Sequence, residues 1–206
     1  MYWQKKKITY NILIPENIKL FEEFTKKEVE EYFNWYISKI PERVKYMSSY
    51  SGVLLDYSVD SLVNIWEWFI KIAKTEKTPK VRIKKLKEQL KGQPKEIADI
   101  ILQENVKQLS LETMYIVRDI AMYYGEVEIR NNNALYWGYH TDIKEDSFAN
   151  RPLIMGYEDR DYNPPFQFHS DPYFFVQCCA EGLLVNSTYP TELLEGYQKM
   201  QKNVHN

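Results

Sequence analysis

The sequence predicts an α+β fold with a mainly helical N-terminal part, a small antiparallel meander near residues 126–157 and two C-terminal helices. Three observations predict it. Apolar residues recur at helical spacing in several segments before Gly125. The pattern then changes to strand-like alternation at Val127 and Ile129, followed by the Asn-rich "NNN". Helix-start signals return at Asp171 and Pro190. With 206 residues and no evident linker, residues 1–206 read as one domain with its own core.

The segment Ile8–Pro15 alternates and stops at a proline, which suits a short edge strand or an extended lead-in. Thr25 and Glu28 have capping-box spacing, and Val29, Tyr32, Phe33, Tyr36, Ile37 and Ile40 form a stripe behind them. Pro41 is expected to end that helix or to open the next, which reaches about Tyr50. Ser58 is the expected cap of a second amphipathic helix carrying Leu62, Val63, Trp66 and Ile70. Pro79 and Gly92 bound a basic helix with Val81, Leu86 and Leu90 inward. Pro94 opens another, with Ile97, Ile100 and Ile101 inward.

Ser110 starts a helix that is apolar nearly all round, the mark of a central element. Its one charged step is Arg118–Asp119, a structural or a functional pair, and Gly125 is its expected stop. A hairpin follows: Val127 to Arg130, a turn at Asn131–Asn133, then a strand with Leu135, Trp137 and Tyr139 on one face and Tyr136 on the other. Pro152–Tyr157 reads as a third strand, and the acidic stretch after it as an irregular loop. Asp171 caps a helix with Pro172 at its first position, and the last helix follows Pro190.

The composition is globular, with 44% hydrophobic and 15% aromatic residues, too many large apolar side chains for a disordered chain. A net charge of -2 gives no overall pull toward nucleic acid or anionic membrane. No stretch has the apolar length of a membrane span or a signal peptide. The only cysteines, Cys178 and Cys179, are adjacent, where a disulfide is strained. Reduced thiols in a cytoplasmic protein are the expectation.

Motifs for chemistry are sparse. His140, His169 and His205 have no metal-ligand spacing, so neither metal nor cofactor is expected. There is no P-loop, G-x-S-x-G, G-x-G-x-x-G or H-E-x-x-H. Glu126 and Glu128, on one face of the expected strand, lie near His140, Asp142, Glu145 and Asp146 in sequence. They are the candidates for an acid–base site, although alternating charges on a strand normally form its solvent face. Residues 71–95 hold nine Lys and one Arg against two Glu. Without interleaved aromatics, such a run more often forms a solvated face than a phosphate-binding one, so nucleic acid is an unlikely partner.

The remaining lead is the acidic, aromatic-rich part of the chain. Tyr136, Tyr139, Asp142, Glu158, Asp159 and Asp161 suit an exposed protein-binding surface, aromatic anchors within a charged rim. Around them, "MYYGEVEIRNN", "LYWGYHT" and "NRPLIMGY" resemble a loose set of small bacterial cytosolic proteins, some similar to immunity proteins of polymorphic toxin systems. The resemblance spans about Tyr115 to Tyr157 and rests on Gly125, Glu126, Trp137, Asn150 and Pro152. It implies a non-enzymatic cytoplasmic protein that blocks a protein partner, such as a toxin, by surface complementarity. An enzyme with its site in the hairpin loops and a nucleic-acid binder using Lys80–Lys95 are the alternatives. A homodimer through exposed aromatics is compatible with all three.

Overall fold

The computed structural model describes residues 9–15, 19–142 and 148–204. Within them the protein is α+β, with seven α-helices and two small antiparallel sheets. Residues 9–15 take no regular structure, so the expected edge strand is not found there. Ile8, Lys5 to Lys7, Glu145, Asp146 and His205 lie outside the described residues.

Helix α1 (Lys26–Ser51) opens with the capping box the sequence announces: Thr25 Oγ1 accepts from the Glu28 N–H, and the Glu28 carboxylate accepts from the Thr25 N–H. Pro41 neither ends it nor starts another helix; it lies inside one continuous rod. An interior proline costs about 3 kcal/mol. Tyr36, Ile40, Val44 and Met47 lie buried on both sides of it, and each contributes roughly 1.5–3 kcal/mol. Burial of the stripe therefore outweighs the break. Helix α2 (Ser61–Ile72) packs Leu62, Ile65, Trp66 and Phe69 into the same core. Its cap is Asp60 rather than Ser58.

The basic segment departs from expectation. Strands β1 (Thr75–Lys77) and β2 (Lys107–Leu109) pair antiparallel, with Glu76 opposite Gln108. Between them α3 (Lys80–Gln89) and α4 (Lys95–Glu104) form a helical arm in which no residue is buried. Val81, expected inward, is 81% exposed, and Ile97 and Ile100 are exposed as well. The two helices have mainly each other to pack against.

Helix α5 (Leu111–Arg130) is the central element, with 13 of its 20 residues buried. Ser110 caps it, accepting from the Thr113 N–H. The expected stop at Gly125 and the expected strand at Val127–Ile129 are both overturned, because the helix continues to Arg130. Enclosure explains this. A helix surrounded on several sides needs apolar residues at short intervals, and over four residues that pattern matches a strand. Gly125 serves close packing instead. A Cβ there would strike the Trp137 ring, whose Cη2 and Cζ2 atoms sit against the helix at this position.

The meander is therefore displaced toward the C-terminus: β3 (Tyr136–Gly138), β4 (Leu153–Asp159) and β5 (Phe166–Ser170), in the order β3-β4-β5. The stretch Pro152–Tyr157 is its central strand, while β5 falls in what the sequence presents as irregular loop. Strand β4 bulges between Ile154 and Tyr157, where Gly156 adopts φ +103° against the Ala134 carbonyl. Helix α6 (Pro172–Glu181) starts at the expected Asp171 cap, with Phe174 donating to Asp171 Oδ1 at 3.0 Å. Helix α7 (Glu192–Gln201) closes the core with Leu193 and Tyr197. No helix among the described residues is long and apolar enough to cross a membrane.

Candidate functional site

A hollow of about 310 Å³ opens where α1, α5 and the start of α6 meet the turn at Phe21. Its walls are aromatic: Phe21, Tyr32 and Tyr36 on one side, Tyr115 and Tyr173 on the other. Its polar groups are Arg118, Arg151 and Asp171. Burial pushes the Tyr32 hydroxyl up to about 12 and raises those of Tyr36 and Tyr173 as well, so all three are neutral at physiological pH.

The charges behind the hollow are arranged in pairs, with one cation in excess. Asp119 is fully buried and accepts from Tyr10 Oη at 2.6 Å and from Arg43 Nε at 2.9 Å and Nη2 at 2.5 Å. Asp171 Oδ2 accepts from Arg151 Nη1 at 3.2 Å. Burial raises the Asp171 carboxyl, opposed by the Phe174 N–H and by Arg151. Arg118 is 9% exposed and has no carboxylate to itself. Its Nη2 stands 3.7 Å from Asp119 Oδ1, a Coulombic contact too long for a hydrogen bond. Among the described residues, Nε and Nη2 of Arg118 and Nε of Arg151 are buried without a hydrogen-bond partner, and three guanidinium groups face two carboxylates. Buried donors left unpaired cost about 1–3 kcal/mol each, more when charged.

Sequence reasoning did not find this site. Its one visible trace is the Arg118–Asp119 step in an otherwise apolar helix. Asp119 proves to be the anchor of Arg43, while Arg118 turns to the hollow. Arg151, Asp171 and the tyrosines come from distant parts of the chain, and only folding brings them together.

The residues proposed from sequence as a binding surface do not form one patch. Tyr136 is 58% exposed on β3, while the Tyr139 ring packs at a tilt against Phe33, their centres 4.9 Å apart. Gly138 lies opposite Leu153, so Tyr139 and the exposed Asp142 lie toward the start of β4. Glu158, Asp159 and Asp161 lie at its far end, roughly 20 Å away at 3.3 Å per residue. There Glu158 accepts from Arg160 Nε and Gln167 Nε2, and Asp159 accepts from the Asp161 N–H.

The carboxylate pair expected on a strand is likewise divided, because α5 sends Glu126 and Glu128 in different directions. Glu126 accepts from Trp137 Nε1 at 3.0 Å and from Arg130 at 3.1 Å. Glu128 is fully buried and accepts from Tyr157 Oη at 2.6 Å, and burial pushes its carboxyl up to about 8. His140 lies beside His169, their rings 5.0 Å apart, a pairing the sequence did not suggest. No cluster of three metal-ligating side chains occurs among the described residues. Burial raises both cysteine thiols, Cys179 to about 12, which favours their protonated form.

No family model, characterised protein or solved structure matches this chain.

Proposed function

We propose that this is a cytoplasmic binding protein whose recognition centre is the aromatic hollow at Arg118, and that it holds there an anionic group attached to a flat or apolar body. The observation that carries the reading is the Arg118 guanidinium, which lines the hollow with no carboxylate at hydrogen-bond distance among the described residues. The walls suit holding rather than turnover: the tyrosines are neutral, and both Asp171 oxygens are engaged. Aromatic rings and one bidentate-capable cation would give orientation and specificity together.

The test is the shift in melting temperature with benzoate and with phenyl phosphate, using benzyl alcohol as the uncharged control. Both anions should stabilise the protein and the alcohol should not. The Arg118→Met variant should weaken anion binding about tenfold or more, since a charge-assisted bond contributes roughly 1.5–3 kcal/mol. Equal stabilisation by the alcohol, or anion binding unchanged in the variant, would remove the reading.

A second reading, docking of a protein partner of the immunity type, is favoured by the tip of the β4–β5 hairpin. Tyr162 and Phe166 are exposed there beside Asp159 and Asp161. Exchanging both aspartates for lysine should slow association with a partner captured from host lysate, most strongly at low salt. An unchanged association rate would exclude the tip.

A further inference from the structure

We infer, building on the anion-binding reading, that the hollow selects an aromatic ligand with a single negative charge, a carboxylate or a sulfate ester, and that Asp171 is the residue that turns phosphate esters away. Among the described residues the charged lining of the hollow is Arg118, Arg151 and Asp171. Behind it Arg43 and Asp119 offset one another. The pairing of Arg151 with Asp171 leaves one positive charge, that of Arg118, for a ligand to neutralise. A monoanion completes that balance. A phosphate monoester carries a charge of about −1.5 to −2 at pH 7 and leaves a negative charge over.

The cost of that excess depends on where it sits. The Asp171 side chain is 2% exposed, so little water reaches it. Its Oδ2 is fixed by Arg151 Nη1 at 3.2 Å and its Oδ1 by the Phe174 N–H at 3.0 Å. The carboxylate can neither turn away nor gain a water shell when a ligand arrives. Phe21, Tyr32, Tyr36 and Tyr173 surround the space with rings in place of water. Like charges repel several times more strongly in such surroundings than in water. Tyrosine hydroxyls can hydrogen-bond the ligand, but they bring no charge to offset the excess.

Arg151 does not act as a free second cation. Besides its bond to Asp171, its guanidinium lies 5.1 Å from the centre of the Phe21 ring and 5.6 Å from that of Phe148. Arg118 differs, since its contact with Asp119 is 3.7 Å and Arg43 already engages that carboxylate. The volume of about 310 Å³ is at the low end for small-molecule sites and suits one ring with its charged group.

The experiment is isothermal titration calorimetry on the full chain with phenyl sulfate, phenyl phosphate and benzoate. The first two have the same shape and differ in charge. Phenyl sulfate and benzoate should each bind about tenfold or more tighter than phenyl phosphate. Their order relative to each other separates the sulfate source of the single charge from the carboxylate source. Asp171→Asn keeps a capping oxygen for the Phe174 N–H and removes the negative charge. In that variant the preference for phenyl sulfate over phenyl phosphate should fall about tenfold, to parity or below. Arg151→Gln leaves Asp171 unopposed and should widen the preference by a similar factor, which tests the same carboxylate from the other side. Equal binding of phenyl sulfate and phenyl phosphate by the unaltered protein, or tighter binding of the phosphate, overturns the charge selection while the anion-binding reading stands. An unchanged preference in either variant that folds overturns the role of Asp171. If all three anions fail to bind, the reading fails and the inference with it.

Discussion

Glu128 shows how far one residue's environment can be from its appearance in the sequence. It is a fully buried carboxyl that, among the described residues, accepts a hydrogen bond from Tyr157 alone, leaving Oε2 without a partner. Desolvation dominates and pushes its pKa from 4.5 up to about 8. The folded state therefore favours the protonated form. The stability this contributes is fully present below about pH 4.5 and is lost as the pH rises through about 8. At about 1.4 kcal/mol per pH unit as a ceiling, the protein should lose roughly 2–4 kcal/mol between pH 5 and pH 8. Glu128→Gln can still accept from Tyr157 and does not ionise, so its stability should be nearly flat over that range. Urea unfolding of both proteins at three pH values decides this; parallel slopes would show that Glu128 is not the titrating group.

Arg118 is the counterpart on the functional side. Arg43 and Asp119 form a buried pair through Asp119 Oδ2, while Asp119 Oδ1 faces Arg118 at 3.7 Å. Arg118 is held beside that pair over the Tyr115 ring, 5.1 Å from its centre, with donors left over. A buried cation retained without a matching carboxylate is expensive for stability, which makes it a better marker of binding than the exposed acids.

At the scale of elements, α5 decides the architecture. Its last turn takes Val127 into the main core and Glu128 to the sheet, and Gly125 lets Trp137 of β3 lie against it. Alanine at position 125 would gain up to about 1 kcal/mol of helix propensity. It would also place a methyl group inside the Trp137 ring, which the bond to Glu126 holds in position. Overpacking of that kind typically costs 1–3 kcal/mol. Gly125→Ala should therefore be destabilised by about 1–2 kcal/mol in urea unfolding, with a changed Trp emission. A stabilised variant would mean that Trp137 moves aside freely.

The same scale separates what was legible from what was not. The boxes and caps at Thr25, Ser110 and Asp171 were readable because they depend on neighbours three residues away. Pro41 was misread because burial of the stripe that runs through it overrules local propensity, and Gly125 because α5 is enclosed on several sides. Strands β1, β2 and β5 were missed because three to five residues carry too short a pattern, and their partners lie up to about 30 residues away.

At the scale of the whole molecule, α3 and α4 stand apart. Neither contributes a buried residue, and the ribbon beneath them is already paired up to Thr78 and Val106. Replacing residues 79–105 by an Asn-Gly turn should leave the rest folded, with stability changed by no more than about 1 kcal/mol. Circular dichroism should show loss of the arm's helix signal and an unchanged melting midpoint. A collapse in melting temperature would show that the arm supports the core.

The sequence by itself determined the α+β class, the helix caps at Thr25, Ser110 and Asp171, and the aromatic core. These follow from local composition and period, which a single chain displays directly. Only the tertiary structure decided that Glu128 is buried, that Tyr139 and Asp159 lie far apart, and that Arg118 meets Tyr32, Arg151 and Asp171 in one hollow. Those are relations between residues brought together from segments tens of residues apart, and burial and charge balance take their values only after the segments have packed.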